Sequence, residues 1–344
     1  MSDVKLTGIA KSYGGSPVLT DITVDFPSGS FTSLLGPSGS GKTTLLRIIA
    51  GFITPEAGQV TIGGEDVTRI PVWARNIGMV FQSYALFPHM SVRDNVAFGL
   101  GRRGVKGAEA KRRVDEALEM VRLPGFAERL PKQLSGGQQQ RVAMARAIVT
   151  GPKVLLLDEP LSALDRRLRQ EMQVELLSLQ REIGVTTIFV THDQEEALTL
   201  SDQVAILDRG RIVQMGAPAA IYERPATRFA AEFLGDANFF TGRVEGGAIT
   251  VAAHRITAPG LPEGREVTLA VRPEKISLDA THENRVQAKV LNAIYAGANL
   301  TYLMEGPGGQ RLKVFAQNSD GVILPNGAEV TLSWRAAHTI LVEG

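Results

Sequence analysis

A glycine-rich segment carries the clearest chemical signal in the sequence. Gly36–Thr43 reads GPSGSGKT, follows the apolar run Phe31–Leu35 and precedes the helical stretch Thr44–Ala50. Glycines let successive backbone N–H groups point inward, and a helix N-terminus behind them favours anions. A lysine and a threonine in this pattern contact the β- and γ-phosphates and Mg²⁺, respectively. The segment therefore predicts a loop that binds a nucleoside triphosphate, and its candidate binding residues are Gly36, Ser38, Gly39, Ser40, Gly41, Lys42, Thr43 and Thr44.

Two adjacent carboxylates follow a second apolar run. Val154–Leu157 predicts a buried strand, and Asp158 and Glu159 stand at its end. Carboxylates at such a position are costly unless a metal or a reaction uses them. Asp158 is a candidate Mg²⁺ ligand, in part through water, and Glu159 is a candidate base that orients or deprotonates an attacking water.

A third motif opens a predicted helix. Leu134–Gln138 reads LSGGQ and precedes the helical stretch Gln139–Val149, about 20 residues before the carboxylate pair. Taken alone, this motif is a capped helix start with Ser135 as the N-cap. Its helix N-terminus is also a second anion site.

Composition and charge exclude several classes of protein. The 344 residues are enough for two domains at roughly 150 residues each, and the formal net charge of +1 argues against bulk electrostatic binding of nucleic acid or anionic lipid. The absence of cysteine excludes disulfides, thiol catalysis and Cys-ligated zinc or iron–sulfur clusters. No apolar run approaches the ~18–20 residues of a membrane span, and the N-terminus lacks a signal-peptide pattern. We therefore expect a cytosolic chain that reaches a membrane only through a partner.

The pattern of elements changes along the chain. Up to about residue 235, short β-branched runs such as Thr186–Val190 alternate with amphipathic helical patterns, which is typical of an α/β domain with a mostly parallel sheet. After about residue 238, short alternating strands are separated by turn signals such as Asn326-Gly327, which favours a small all-β barrel.

Together, the three motifs resemble the ATP-binding cassette (ABC) family, and the resemblance covers essentially the whole chain. It implies an α/β P-loop ATPase cassette, with a RecA-like core and a helical subdomain at about residues 88–150, over residues 1–235. It also implies that residues 236–344 form a small all-β, OB-like regulatory barrel of the TOBE type. The expected ligands are ATP and Mg²⁺, and the expected reaction is ATP hydrolysis coupled to transport.

The resemblance also assigns roles to further residues. Tyr13 corresponds to the aromatic residue that lies against adenine, Gln82 to the glutamine that contacts Mg²⁺ or water, and His192 to the histidine that reaches the γ-phosphate. The expected catalytic residues are Glu159, His192 and Gln82, and the expected Mg²⁺ contacts are Thr43, Gln82 and Asp158. Two such chains arranged head to tail would complete each site with a second set of residues: Ser135, Gly136, Gly137, Gln138 and Asp165.

The same resemblance predicts partners. A chain with one cassette and no membrane span is expected to work as a homodimer beneath two permease subunits, on the cytoplasmic face of the bacterial inner membrane. The segment Ser83–Met90 is expected to contact the permease, and a periplasmic solute-binding protein to act indirectly. The C-terminal stretch Ala270–Ile276 resembles the import ATPases for maltose, sulfate, iron and polyamines, and the chain's ending most resembles the spermidine/putrescine branch.

Several alternatives remain open from the sequence alone. The transported solute is also compatible with iron(III), 2-aminoethylphosphonate or another small molecule. A cassette ATPase that acts on DNA or ribosomes is a further alternative, although such proteins usually carry coiled-coil insertions or two cassettes. Another alternative is that the C-terminal barrel has a regulatory role. The basic residues between Arg102 and Arg113 are expected to form a solvated helix face, and no nucleic acid is expected as a partner.

Overall fold

A computed structural model describes residues 2–318 and 321–343 of the chain, which divides into two compact units, Met1–Pro218 and Ala219–Gly344. The helices are α1 (Lys42–Ala50), α2 (Val92–Arg102), α3 (Gly107–Met120), α4 (Gly136–Ile148), α5 (Arg166–Ile183), α6 (Gln194–Leu200), α7 (Pro218–Glu223) and α8 (Arg228–Phe233). The predicted domain boundary near residue 235 lies after this division and stays a prediction, as does the subdomain at residues 88–150.

An antiparallel sheet begins the first unit. Its strands are β1 (Val4–Tyr13), β2 (Ser16–Phe26), β4 (Ala57–Ile62) and β5 (Glu65–Asp66), in the order β2-β1-β4-β5. The strand patterns alternate between buried and exposed residues, as expected for a sheet with one face on the core and one in solvent. This sheet was not predicted from the sequence.

The second sheet of this unit is mostly parallel. It contains β3 (Phe31–Leu35), β6 (Ile77–Val80), β7 (Val154–Asp158), β8 (Thr186–Thr191), β9 (Gln203–Asp208) and β10 (Arg211–Gly216), in the order β10-β9-β3-β8-β7-β6. Only the edge strand β10 pairs in antiparallel fashion, with β9. Every residue of β3, β7 and β8 is buried, so these strands are covered on both faces of the sheet.

Successive residues of the parallel strands contribute to different core clusters. Leu155 and Leu157 of β7 pack with α2, α3, α4 and α5, whereas Val154 and Leu156 pack with α1 and the antiparallel sheet. This two-sided burial follows from the period of two along a strand. It holds the sheet between two layers and fixes the positions of its strand ends.

The carboxyl ends of β3, β8, β7 and β6 come together at one edge of the sheet. These strands are neighbours in that order and all run parallel. In open α/β sheets, ligands bind outside this edge. The loop after β3 and the residues after β6, β7 and β8 are therefore brought to one place.

The second unit contains two antiparallel sheets after helices α7 and α8. The first has the order β13-β12-β11-β14-β19, with β11 (Asn238–Glu245), β12 (Ala248–Val251), β13 (His254–Thr257), β14 (Glu266–Val271) and β19 (Ile340–Val342). The other has the order β17-β16-β15-β18, with β15 (Asn284–Ala296), β16 (Asn299–Glu305), β17 (Arg311–Gln317) and β18 (Glu329–Trp334). One apolar core joins both sheets, with Phe240 stacked on Trp334 at a ring distance of 5.4 Å. The predicted fold class, an α/β cassette followed by a small all-β domain, is confirmed.

Candidate ATP-binding and hydrolysis site

The loop between β3 and α1 has a backbone shape that requires glycine. Gly39 and Gly41 adopt φ values of +81° and +106°, in the left-handed region that side chains disfavour. A Cβ atom added to Gly36 would lie 2.1 Å from the carbonyl oxygen of Leu207. Among the described residues, the buried Oγ of Ser40 has no hydrogen-bond partner. A curled loop with an unpartnered buried hydroxyl fits a phosphate cradle.

Lys42 and Thr43 begin α1 directly after this loop. Lys42 is only 5% exposed, and its Nζ donates hydrogen bonds to the carbonyl oxygens of Gly36 (2.7 Å) and Pro37 (2.9 Å). Thr43 Oγ1 donates to Asp158 Oδ1 at 3.3 Å. The loop after β3 is thereby joined to the end of β7, and a hydroxyl and a carboxylate suited to a hard cation lie together.

Burial shifts the pKa values of two of these groups. Burial lowers the pKa of Lys42, and the nearby Glu159 and Asp158 carboxylates oppose that shift. Burial raises the pKa of Asp158, while the hydrogen bond from Thr43 and the charge of Arg47 oppose the rise. Both charges are therefore held at a cost that phosphate and a metal ion would relieve.

Glu159 lies at the centre of a group of polar side chains. His192 Nδ1 lies 3.2 Å from Glu159 Oε2, and Gln82 Nε2 lies 3.4 Å from the same oxygen. Gln82 Nε2 also donates to Ser162 Oγ at 3.3 Å, and Ser162 Oγ donates to the carbonyl oxygen of Glu159 at 3.0 Å. The backbone of Glu159 has φ +47°, which is uncommon for a residue with a side chain. Residues from the ends of β6, β7 and β8 thus converge on one carboxylate.

One open cleft joins the phosphate loop to Tyr13 and Glu159. Tyr13 ends β1 and is 48% exposed, with Lys11 Nζ 5.5 Å from the centre of its ring. The cleft is lined by Tyr13, Val18, Ser38, Gly39, Gly41, Lys42, Thr43, Thr44 and Glu159. An exposed aromatic ring and a phosphate cradle in one cleft suit a nucleotide, with the base on the ring.

The residues of the LSGGQ motif lie outside this cleft. Ser135 is exposed and caps α4, and its Oγ accepts from the backbone N–H of Gln138 at 3.3 Å. Gln138 Oε1 accepts from the backbone N–H of Ser135 at 3.0 Å, which completes a capping box. Gly136 and Gly137 lie next to Leu164 and Leu168. Asp165, the N-cap of α5, is between those leucines in the chain.

These arrangements separate the predicted site residues into two groups. Within one chain, the structure brings together the phosphate loop, Tyr13, Asp158, Glu159, Gln82 and His192. It places Ser135, Gly136, Gly137, Gln138 and Asp165 together in a second group, at the starts of α4 and α5.

The turn that carries His192 is fixed by residues that were not predicted from the sequence. Glu196 is buried and accepts from Thr191 Oγ1 at 2.5 Å, and burial raises its pKa. Asp193 caps α6, and Arg169 Nη1 donates to Asp193 Oδ2 at 3.2 Å. The sequence contains a signal for this helix start, because an N-cap residue, Asp193, is followed three residues later by Glu196.

The segment Ser83–Met90 combines buried and exposed residues. Tyr84 is buried, whereas Ala85, Pro88 and His89 are exposed. Arg146 of α4 donates to the carbonyl oxygens of Tyr84 and Ala85, each at 2.7 Å. This tie to α4 holds the segment in a defined shape beside Gln82.

No helix in the described residues has both the length and the apolar character that a membrane span requires.

Two family models match this chain. The model described as "ABC transporter" matches residues 19–162, which contain the phosphate loop, Gln82, LSGGQ and the carboxylate pair. The model described as "TOBE domain" matches residues 269–342 in the second unit.

Relatives cover nearly the whole chain. It is 47% identical over 354 residues to the "Spermidine/putrescine import ATP-binding protein PotA" of Rubrobacter xylanophilus, covering 99% of this chain and 94% of that protein. The protein of the same name from Thermobifida fusca is 47% identical over 362 residues, with 99% and 94% covered. A solved structure described as "Dimeric structure of a post-hydrolysis state of the ATP-binding cassette MJ0796 bound to ADP and Pi" matches with a TM-score of 0.56 and 34% identity, covering 62% of this chain and 98% of that one.

The matched segments coincide with the motifs that carry the site, and the relatives extend over both units. The resemblance predicted from LSGGQ and the Asp158–Glu159 pair is therefore confirmed, and the chain belongs to the ABC transporter family, as an ATP-binding, ATP-hydrolysing protein with a C-terminal TOBE domain.

Proposed function

We propose that this protein hydrolyses ATP to drive import of a polyamine of the spermidine/putrescine type. It acts as a homodimer bound to two permease subunits at the cytoplasmic face of the inner membrane. The observation that carries the ATPase part is the convergence of Lys42, Thr43, Asp158, Gln82 and His192 around Glu159. The polyamine part is supported by the full-length similarity to the import proteins of Rubrobacter xylanophilus and Thermobifida fusca.

The phosphate loop binds the triphosphate in this proposal. Backbone N–H groups of residues 38–43 donate to phosphate oxygens, and Lys42 exchanges its bonds to Gly36 and Pro37 for bonds to the β- and γ-phosphates. Tyr13 stacks on the adenine. The donors and the ring surface that make these contacts are already present in the cleft of this structure.

Thr43 Oγ1 and the Asp158 carboxylate fit Mg²⁺, with Gln82 as a further contact, because oxygen ligands beside a phosphate cradle are what this ion prefers. When bound, Mg²⁺ neutralises negative charge on the phosphates.

Glu159 accepts a proton from the attacking water, and Gln82 and Ser162 hold the end of β7 that presents this carboxylate. His192 lies beside Glu159 in this structure. In the ATP-bound state it donates a hydrogen bond to the γ-phosphate.

The second group of residues acts on the other protomer's ATP. Ser135 and Gly137 of one chain face the triphosphate held by Lys42 of the other, and Asp165 lies at the same interface. A two-chain site explains why the exposed N-terminus of α4 is preorganised for an anion yet lies outside the cleft of its own chain. ATP then favours the closed dimer, and hydrolysis removes that preference.

Transport in a defined system tests the solute. The chain is reconstituted in proteoliposomes with two permease subunits and a solute-binding protein from the same organism, with ATP inside. We expect labelled spermidine or putrescine to accumulate, and Glu159→Gln to abolish that accumulation. Accumulation of iron(III) or 2-aminoethylphosphonate, with none of either polyamine, would contradict the proposed solute and leave the ATPase assignment intact.

A further inference from the structure

Two loops that carry site residues in the first unit are joined by one arginine of α5. The first loop, residues 159–165, connects β7 to α5, and we name it the β7–α5 loop. The second consists of His192 and Asp193 between β8 and α6, and we name it the histidine turn. We propose that Arg169 is a positioning residue that holds the histidine turn against the β7–α5 loop. It thereby sets the place of His192 for ATP hydrolysis.

The guanidinium of Arg169 contacts both loops. Its Nη2 donates to the carbonyl oxygen of Leu164 at 3.0 Å, and its Nη1 donates to Asp193 Oδ2 at 3.2 Å. Its Nε lies 3.8 Å from Oε1 of the buried Glu196, in the first turn of α6. Arginine can make such contacts together because its planar guanidinium presents several donors in fixed directions. The side chain therefore bridges two segments that are separate in the chain.

Three further hydrogen bonds of the histidine turn are local. The N–H of Asp193 donates to Thr191 Oγ1 at 3.0 Å, and the N–H of Glu196 donates to Asp193 Oδ1 at 3.2 Å. Thr191 Oγ1 donates to Glu196 Oε2 at 2.5 Å. These bonds give the turn its shape, but they do not attach it to the β7–α5 loop. The paired residues of β7 and β8 end at Val190, before the histidine turn begins.

The charges around Arg169 explain why its loss would displace the turn. Burial raises the pKa of Glu196, and the nearby Asp193 carboxylate adds to that rise. The hydrogen bond from Thr191 and the charge of Arg169 oppose it. Without the guanidinium, the two carboxylates lose the cation that lies between them and are expected to move apart.

His192 depends on this bridge because packing does not fix its side chain. The side chain is 56% exposed, and its Nδ1 lies 3.2 Å from Glu159 Oε2. Glu159 belongs to the β7–α5 loop, so the distance between the two side chains depends on how closely the loops are held. Arg169 is not among the residues that line the ATP cleft. We therefore expect it to affect turnover and to leave ATP binding unchanged.

The ring signal of His192 tests the positioning without depending on hydrolysis. The full-length chain is labelled with [ring-¹³C]histidine and measured without nucleotide, and the His192 signal is the one that disappears in His192→Ala. We expect Arg169→Met to shift or broaden this signal. Arg181→Met makes the same change at an exposed position in the last turn of α5 and should leave it unchanged. An unchanged His192 signal in Arg169→Met would overturn the proposal.

Steady-state kinetics test the consequence for hydrolysis, which rests on the proposed function. Arg169→Met should lower kcat by about 10–100-fold and leave KM for ATP within about twofold of wild type, because a displaced His192 affects the reaction and not the phosphate loop. In a His192→Ala background, the same change should lower kcat by less than about twofold further, since the group that Arg169 positions is already absent.

Two kinetic outcomes separate the positioning role from the proposed function. Losses that multiply in the double variant would overturn the positioning role. Undiminished hydrolysis by His192→Ala alone would contradict the role of His192 in the proposed function, and the ring signal would still decide whether Arg169 holds the turn.

Arg169→Lys replaces Arg169→Met if that variant fails to fold. Lysine keeps the charge and much of the stem, but its single ammonium cannot reproduce the bonds to Leu164 and Asp193 in the same geometry. It should shift the His192 signal and lower kcat in the same direction, by a smaller factor. Wild-type values of both in Arg169→Lys would overturn the proposal.

Discussion

Glu159 stands out at the residue scale because its backbone is held in a conformation that costs free energy. For a residue with a side chain, a φ of +47° costs on the order of 1–3 kcal/mol of conformational free energy. Such strain persists where the surrounding contacts enforce the conformation. The enforcing contacts are the hydrogen bond from Ser162 Oγ to the Glu159 carbonyl oxygen and the bond from the Glu159 N–H to Val190. The strained turn directs the carboxylate to Gln82 and His192.

Glu159→Gln tests the catalytic role directly. The amide cannot accept a proton from water, so steady-state ATP hydrolysis should fall by about 10²–10⁴-fold while ATP binding is kept. Glu195→Gln, an exposed change in the first turn of α6, should hydrolyse ATP as the wild type does. Hydrolysis by Glu159→Gln within a few fold of wild type would show that another group activates the water.

Asp158→Asn separates the stability of this site from its function. Burial raises the pKa of Asp158, so the folded chain binds that proton more tightly than the unfolded chain does. The carboxylate therefore destabilises the nucleotide-free protein increasingly as the pH rises through the raised pKa. We expect Asp158→Asn to raise the unfolding temperature of that protein by about 2–4 °C at neutral pH, the shift expected for ~1 kcal/mol.

The pH dependence and Mg²⁺ provide the controls for Asp158→Asn. The gain in stability should shrink toward acidic pH, where the wild-type carboxyl group is protonated as well. The stabilisation of the wild type by Mg²⁺ and ATP should be largely lost in the variant. A variant that is less stable than wild type at neutral pH would show that the Asp158 carboxylate stabilises the nucleotide-free fold instead of destabilising it.

At the scale of elements, the accuracy of sequence-based prediction depended on how local the signal was. The strand Phe31–Leu35 was predicted with its observed bounds, because an unbroken apolar run ends at a glycine-rich loop. The strand ending at Asp158 was predicted to within one residue. The antiparallel sheet of β1, β2, β4 and β5 was missed, because register shifts interrupt the pairing of the neighbouring strands β1 and β2, and because β4 pairs with the distant β1.

The candidate site shows the same limit. Motif spacing identified Lys42, Asp158 and Ser135, but it could not show that Ser162 and Gln82 meet at Glu159, because that contact depends on the packing of β6 beside β7. Leu168, Met172, Leu176, Leu179 and Ile183 recur at helical spacing, and all of them lie in the long helix Arg166–Ile183. The cap that fixes its first turn, Asp165, was predicted only as an interface residue.

Arg272 holds helices α7 and α8 to the sheets of the second unit. It is 1% exposed, and its guanidinium donates to the carbonyl oxygens of Tyr222, Ala231, Gly235 and Asp236. Burial lowers the pKa of Arg272, and its guanidinium carbon lies 4.2 Å from the centre of the Tyr222 ring. Burial and the hydrogen bond to Glu274 raise the pKa of Tyr222 to about 12.

Arg272→Met should destabilise the second unit by about 3–5 kcal/mol, because the buried carbonyl oxygen of Ala231 and three partly buried ones lose their donor at once. Arg272→Lys should recover only part of this loss, since one ammonium cannot reproduce the planar fork. Fluorescence of the buried Trp334 reports urea unfolding in a background with the exposed Trp73 changed to Phe. A loss below ~1 kcal/mol in Arg272→Met would show that the bonds to α7 and α8 contribute little.

At the scale of the whole molecule, the central claim is that two chains form each ATP site. Within one chain, the Lys42 cleft and the exposed N-terminus of α4 form two separate groups of residues. In the proposed function both groups act on ATP, and neither completes the other within the protomer. ATP should therefore bind to a single chain but be hydrolysed only between two.

Ser135→Arg in a Glu159→Gln background tests this claim by sedimentation velocity and equilibrium ATP binding. The Glu159→Gln parent should bind ATP and become dimeric with it. Adding Ser135→Arg should leave one ATP bound per chain but keep the protein monomeric, because the new side chain blocks closure without touching its own phosphate loop. Thr250→Arg, which places the same side chain on an exposed strand of the second unit, should dimerise like the parent. Loss of ATP binding by monomeric Ser135→Arg, or ATP-driven dimers with unchanged affinity, would contradict the two-chain site.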